Sequence, residues 1–321
     1  MQYWLFRILS YLALLLGPSV QAQSTEDIIA ADKGVTSERG REAGWYLDQH
    51  QRLSKAITAI KPQTPGKVDA YILVAGLDAD PVFQSESQET ARVLTRRYNA
   101  DGRTIWLAAA SQNGAAQGSP TNINIALASL AAKMDLSEDV LILYTTSHGS
   151  RKIGIVYQDG RQGFGMIAPR RLGQILNDLG IKRRLVMISA CYSGEFVPFV
   201  ASADSIVITA ASPIRTSFGC TPGNDWTFFG DALVNHGLRT PKPLANVASD
   251  AAALINSWEK SFNLEPSEPQ VSIGANSNLW LAELEKAVPA EATKKVGKPA
   301  IESEAFAENA TKPARAATES K

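Results

Sequence analysis

A chain of 321 residues with 45% hydrophobic and 20% charged content can bury at least one full-sized core with length left over. Lys+Arg and Asp+Glu balance at 32 each, so the formal net charge is zero. That balance gives no electrostatic reason to expect nucleic acid or an anionic membrane as partner.

Residues 1–7 carry one positive charge, 8–16 form an apolar core, and Gly17-Pro18 breaks any helix before Val20-Gln21-Ala22. This is the pattern of a signal peptide over 1–22, cleaved after Ala22, in a periplasmic or secreted protein. The apolar stretch falls short of the about 20 residues a membrane span needs, so no stable span is expected once the signal is gone. A leader over 23–66 follows. Residues 23–40 lack a clear pattern, whereas Trp45, Leu47, Leu53, Ala56, Ile57 and Ile60 keep helical spacing over 42–60. His50 falls on that helix and reads as a solvated surface side chain.

An alternation then begins. The run 68–75 (VDAYILVA) reads as a buried strand, 76–81 as the loop at its carboxyl end, and 85–98 as a helix. A second strand over 104–110, a glycine-rich loop over 111–120, a helix over 121–133 and a third strand over 139–145 follow. Strand, helix, strand, helix, strand at this spacing predicts a parallel sheet covered by helices on both faces. After His148-Gly149, the segments 152–157 and 163–166 flank Asp159-Gly160 as a hairpin. Pro169 opens a helix that closes before Gly180.

The run 185–190 is the next buried strand, followed by Cys191, a turn, and a helix over 195–201. The run 205–211 is a fifth strand and 212–225 a polar loop containing Cys220. Helices are predicted over 227–236 and 246–262, a last strand over 270–275, and a closing segment over 279–284. From 285 onward large apolar residues become scarce, and the composition predicts a disordered tail over 285–321. The domain proper is therefore 67–284: an α/β, three-layer sandwich around a mostly parallel six-stranded sheet.

Two strands end in reactive side chains: 140–144 runs into Thr145-Thr146-Ser147-His148-Gly149, and 185–188 into Ser189-Ala190-Cys191-Tyr192-Ser193-Gly194. Carboxyl ends of parallel strands are where open α/β sheets hold their chemistry. A cysteine entering a helix has its thiolate favoured by that helix's positive end. Gly194 permits a sharp turn, and Gly149 permits close approach of a carbonyl to the backbone. Cys191 then reads as a nucleophile, the Gly149 and Cys191 amides as an oxyanion site, and His148 as the acid for a leaving amine. The plainer alternatives are a small core cysteine and a loop histidine. Cys191 and Cys220 also offer a disulfide in an exported chain, although a turn of small residues beside a histidine strand end favours a free Cys191. His236, at a helix end before Gly237, reads as a capping side chain.

The strings YTTSHGS and ISACYSGEF resemble the two catalytic segments of the legumain family of cysteine peptidases, which shares the caspase-like fold. A third string, ITAASPIRTSFGCTPGNDWTFFGDAL, is similar to the family stretch lining the specificity pocket, and the resemblance spans about 68–233. It implies Cys191 as nucleophile, His148 as catalytic histidine and Gly149 as an oxyanion donor. It also implies Asp231, Ser189 and Ser217 at the substrate pocket. Family members that cut after asparagine carry a glutamate where this chain has Ser189, and an arginine that the stretch 81–86 lacks. A basic residue or a neutral amide before the scissile bond is expected instead.

The function expected is an exported cysteine endopeptidase acting on peptide or protein substrates without cofactor or metal and without nucleic acid, its oligomeric state undefined. An inactive peptide-binding scaffold and a peptide ligase or transamidase using the same dyad are the alternatives.

Overall fold

Ten strands form among the described residues of a computed structural model, which describes 25–109, 113–221 and 223–302, most of them short apolar runs separated by turn residues. The expected signal segment over 1–22 and the tail beyond 302 lie outside the described residues. In chain order the strands are Val35–Glu38 (β1), Ala70–Gly76 (β2), Thr104–Ala108 (β3), Val140–Thr146 (β4), Gly149–Ser150 (β5), Gly154–Asp159 (β6), Gly163–Ile167 (β7), Arg184–Ser189 (β8), Ser205–Thr209 (β9) and Gln270–Ile273 (β10). The helices are Thr25–Lys33 (α1), Ala43–Thr58 (α2), Pro81–Arg97 (α3), Pro120–Ala131 (α4), Pro169–Asp178 (α5), Val197–Val200 (α6), Phe228–Gly230 (α7), Leu244–Ser261 (α8) and Asn278–Glu285 (α9). A π-helical stretch, Asp231–Leu238, continues α7.

Strands β2, β4, β8 and β9 are buried at every position, which is why they read as continuous apolar runs rather than alternating ones. They form the middle of a six-stranded sheet in the order β10-β9-β8-β4-β2-β3, parallel except for the antiparallel edge strand β10. Alternate residues feed two cores. Ile72, Val74, Ile142, Tyr144, Leu185, Met187, Ile206 and Ile208 face α3, α8 and α9. Tyr71, Leu73, Ala75, Leu141, Leu143, Val186, Ile188 and Val207 face α2, α4, α5 and α6. The expected three-layer α/β sandwich is therefore the architecture.

From β2 the chain steps outward to β3 and returns to the other side of β2 as β4. This reversal places a crevice between the carboxyl ends of β2 and β4, where doubly wound sheets take their ligands.

Several elements depart from expectation. The leader is more ordered than its pattern suggests: α1 forms, and β1 pairs antiparallel with β7 to make a second sheet, β1-β7-β6-β5. β1 is Val-Thr-Ser-Glu, so backbone pairing rather than apolar periodicity holds it. Helix α3 begins at Pro81, earlier than expected, because Pro81 fills the first helical position, where a missing N–H costs nothing. The expected helix over 195–201 is only a 3₁₀ turn, Ser193–Phe196, followed by the single turn of α6.

The segment 286–302, expected within a disordered tail, folds back on the domain. Thr293 N donates to Arg239 O (3.1 Å), Trp226 Nε1 to Val296 O (2.7 Å), Lys298 N to Asp225 Oδ2 (2.7 Å) and Ala300 N to Asp231 Oδ2 (2.8 Å). Hydrogen bonds, most of them to buried partners, and the packing of Ala300 and Ile301 on the core fix this strap, so composition understates its order. Among the described residues, no helix is long and apolar enough to cross a membrane.

Candidate active site

Parallel register decides which strand-end residues meet. Gly76 pairs with Thr146 across β2 and β4, and Thr146 with Ser189 across β4 and β8. Two residues further along each chain, Asp78, His148 and Cys191 stand in a row across the carboxyl edge. Ser147 N still donates to Ser189 O (3.1 Å), carrying the β4–β8 pairing one step past the strands. The backbones then touch: a Cβ at Gly149 would lie 2.0 Å from Cys191 O. Only glycine fits there.

The turn after β8 is built around Cys191. Tyr192 takes the left-handed conformation (φ 58°), uncommon for a non-glycine residue, and its N–H is held by Arg215 O at 2.9 Å. The sharp bend thus belongs to Tyr192, not to Gly194 as expected. Gly194 is required instead by crowding, since a Cβ there would meet Pro213 N and Cδ at 2.7 Å.

Cys191 is half-buried, and Ser217 N donates to its Sγ at 3.3 Å with Ser217 Oγ at 3.6 Å. Ser217 O lies 3.7 Å from the same sulfur, so Ser217 holds it in place through its backbone and side chain, whereas the following helix, expected to favour the thiolate, is only one turn long. Both cysteines are free thiols. Burial pushes the Cys220 thiol far above its ordinary range, with the charges of Cys191 and Glu86 acting in the same direction.

His148 sits at the end of β4, its ring edge-to-face with Phe83 at 4.9 Å and its Nε2 3.6 Å from Asp80 Oδ2. Val156 N donates to His148 O (3.0 Å), so 148 and 156 form the hydrogen-bonded pair of the β5–β6 ladder, while Gly149 and Ile155 form the non-hydrogen-bonded one. The Gly149 N–H therefore points away from β6 and is not spent on the ladder. Among the described residues the Cys191 N–H donates to no backbone carbonyl, whereas Tyr192 N and Gly194 N are taken by Arg215 O and Ala211 O. Among the described residues, two amides that are not spent on these backbone bonds thus flank the thiol.

The expected pocket residues divide. Ser217 is at the sulfur. Ser189 is buried one layer below, its Oγ 3.0 Å from Thr227 Oγ1. Asp231 is fully buried, with Oδ1 accepting from Asn235 Nδ2 (2.8 Å) and Oδ2 from Ala300 N (2.8 Å). Both carboxylate oxygens are occupied and the strap covers it, so it does not line an open pocket in this conformation; the fold-back of 296–300 accounts for the difference. His50 is exposed as expected. His236 is half-buried, packed edge-to-face on Trp258, and burial lowers its pKa.

Three acids near the crevice escaped the sequence reading. Glu86 is fully buried, accepting from Tyr144 OH (2.7 Å) and Thr227 N (2.8 Å), and so ties α3 to the Ser189–Thr227 layer. Asp78 is 4% exposed, its Oδ1 accepting from Asp80 N at 2.9 Å. Burial raises the Asp78 carboxyl pKa; the Asp80 N–H bond and the His148 charge oppose that rise, while the Asp80 and Asp159 charges add to it. The signal available was Asp80-Pro81, a cap-and-first-position pair that marks a helix start and brings Asp78 and Asp80 to the strand end.

Residues 117–246 match the model of the Peptidase C13 family, a stretch that holds both His148 and Cys191. No curated protein matches the chain in sequence. Among solved structures the chain is similar to caspase-1 from Spodoptera frugiperda, at 15% identity over 67% of this chain and 94% of that one with a TM-score of 0.44. It is similar to pro-sf-caspase-1 at 13% identity over 66% and 89% with a TM-score of 0.41, and to drICE at 14% identity over 64% and 88% with a TM-score of 0.40.

Proposed function

We propose that this chain, whose segment 117–246 matches the model of the Peptidase C13 family, is an exported legumain-like endopeptidase working through Cys191 and His148. The observation that carries the reading is the meeting of two strand ends: β4 and β8 are paired in register, and the Gly149 backbone rests on that of Cys191. The Cys191 sulfur, held by Ser217 N, attacks the scissile carbonyl as thiolate. The Gly149 and Cys191 amides receive the developing oxyanion, and His148 protonates the departing amine. Water then hydrolyses the acyl-enzyme, so sulfur, imidazole and two amides suffice for the cycle.

Export rests on the 1–22 segment. Altered specificity rests on Ser189, a neutral side chain hydrogen-bonded to Thr227, and on a stretch 81–86 that contains no arginine.

The test is cleavage of a fluorogenic peptide library by the wild-type chain, Cys191→Ala and His148→Ala, with an acyloxymethyl ketone probe in parallel. Cleavage and probe labelling that both vanish in Cys191→Ala support the reading. Cleavage that persists in that variant overturns it. Labelling without turnover identifies a binding scaffold, and products joined to an added amine identify a transamidase.

A further inference from the structure

We propose that Asp78, Asp80 and His148 form a binding site for a zinc-class divalent cation, and that filling it withdraws His148 from the leaving group. The second half rests on the function proposed above; the site itself does not.

One oxygen from each carboxylate and one imidazole nitrogen all lie within 4.8 Å of one another. Nε2 of His148 and Oδ2 of Asp80 are 3.6 Å apart. Donors about 2.0–2.2 Å from a tetrahedral ion lie roughly 3.3–3.5 Å from each other, so the set needs only small side-chain adjustments to close on a metal. Each donor comes from a fixed element. Asp78 follows β2, His148 follows the neighbouring β4 in register with it, and Asp80 stands at the start of α3. The three thus line the crevice where strand order reverses.

Two further observations point to a ligand rather than a chance grouping of acids. Asp80 occupies the N-cap position of α3, yet its carboxylate makes no capping hydrogen bond. An aspartate there ordinarily caps its own helix, whereas this one is turned toward the imidazole. Asp78 is 96% buried on the complement of its 4% exposure, with a single hydrogen bond, from Asp80 N, and no lysine or arginine pairs with either acid among the described residues. The neighbouring Asp159 has its own partner in Arg41. Buried carboxylates are normally paired or metal-bound. Among the described residues the basic side chain that faces these two acids is His148, with Nε2 3.6 Å from Asp80 Oδ2.

The donor types select the ion. Calcium and magnesium take oxygen cages, whereas one imidazole with two carboxylates and an open fourth position suits zinc. A metal on Nε2 occupies the atom that would otherwise carry a proton.

The experiment is titration of the full chain in its Cys191→Ala form with Zn2+ by calorimetry and with Co2+ by visible absorption, alongside Cys191→Ala/Asp80→Ala and Cys191→Ala/His148→Ala. Asp80 and His148 are half-exposed, and circular dichroism checks that each variant is folded. One ion per chain is expected, bound without sulfur-to-cobalt charge transfer and weakened by at least about 10-fold in each double variant. Absence of binding, or binding that neither double variant weakens, overturns the site. Binding seen in wild type but lost in Cys191→Ala also overturns it, because the chelate would then be the cysteine–histidine pair. In the wild-type chain, chelator-reversible inhibition by Zn2+ supports the regulatory half, and full activity with the site occupied refutes it. A chain that binds the ion but cleaves nothing would sink the peptidase reading alone.

Discussion

Replacing Gly149 by alanine tests the contact on which the candidate site depends. The added Cβ would lie 2.0 Å from Cys191 O, 2.9 Å from its carbonyl carbon and 3.0 Å from its nitrogen. Ordinary contact begins near 3.4 Å, so the two backbones must separate by about 3.4 − 2.0 = 1.4 Å at the oxygen. Neither side is a flexible chain end: β4 and β8 are buried throughout and paired residue by residue up to Thr146 and Ser189. The displacement therefore falls on the two turns carrying His148 and Cys191. Overpacking of this kind costs about 1–3 kcal/mol of stability. A misplacement of about 1 Å in a catalytic constellation costs about 10²-fold in rate.

The expected outcome is a folded Gly149→Ala protein with a modestly lowered Tm and a kcat/KM at least about 10²-fold below wild type. Gly44 is the control, since it lies in α2 with nothing within 4 Å of its would-be Cβ. Gly44→Ala should leave kcat/KM unchanged and raise stability by at most about 1 kcal/mol. Thermal unfolding and progress curves on the same preparations separate loss of fold from loss of geometry. A Gly149→Ala enzyme with wild-type kcat/KM would refute the reasoning, because it would mean that the 149–191 approach is not part of the working site.

Iodoacetamide should modify Cys191 at least about 10-fold faster than Cys220, whose burial disfavours the thiolate; equal rates in peptide mapping would count against this assignment. Ala300→Pro removes the N–H that Asp231 Oδ2 accepts and leaves a buried carboxylate oxygen without its donor, at a cost of about 1–3 kcal/mol in urea unfolding. Ala300→Gly keeps the donor and should cost less; the reverse order would show that the strap is not held through this bond. Glu259 is buried in α8, accepts from Ser267 N at 3.1 Å, and has its pKa raised by burial. A raised carboxyl pKa contributes stability that is present below the unfolded value and lost as pH rises through the folded one. Glu259→Gln keeps an acceptor but cannot ionise, so its stability relative to wild type should be more favourable at pH 7.5 than at pH 4. An unchanged difference between the two pH values would contradict that sign.

What the sequence revealed follows from where its information lies. β2, β4 and β8 were legible because a strand buried on both faces must be apolar throughout. The strand-end positions of Cys191 and His148 were legible because small and polar residues break those runs where the sheet ends. β1 was not, since Val-Thr-Ser-Glu has no periodicity and owes its place to backbone pairing with β7. The π-helical stretch is set by tertiary packing and has no pattern to read. Asp231 was placed at a pocket because nothing local shows that a segment 69 residues downstream returns to cover it. Glu86 was missed for a related reason: its partners, Tyr144 and Thr227, are distant in sequence, and an acid on a helix reads as solvated until the fold buries it.

Parallel register also concentrates the candidate site's chemistry on few residues. Parallel strands advance together, so equal offsets beyond paired positions stay side by side. Gly76, Thr146 and Ser189 are aligned across β2, β4 and β8, and each chain extends two residues before turning away, to Asp78, His148 and Cys191. An acid, an imidazole and a thiol thereby share one edge without any of them being close in sequence. The imidazole lies between the other two and can serve only one at a time. On the proposed readings its nitrogen acts either toward the sulfur side, delivering a proton to a leaving group, or toward the acid side, joining Asp78 and Asp80 in a metal site. The same pairing that assembles a candidate nucleophile therefore sets a competitor for its histidine on the neighbouring strand, and a one-residue shift in the β2–β4 register would abolish the second while leaving the first intact.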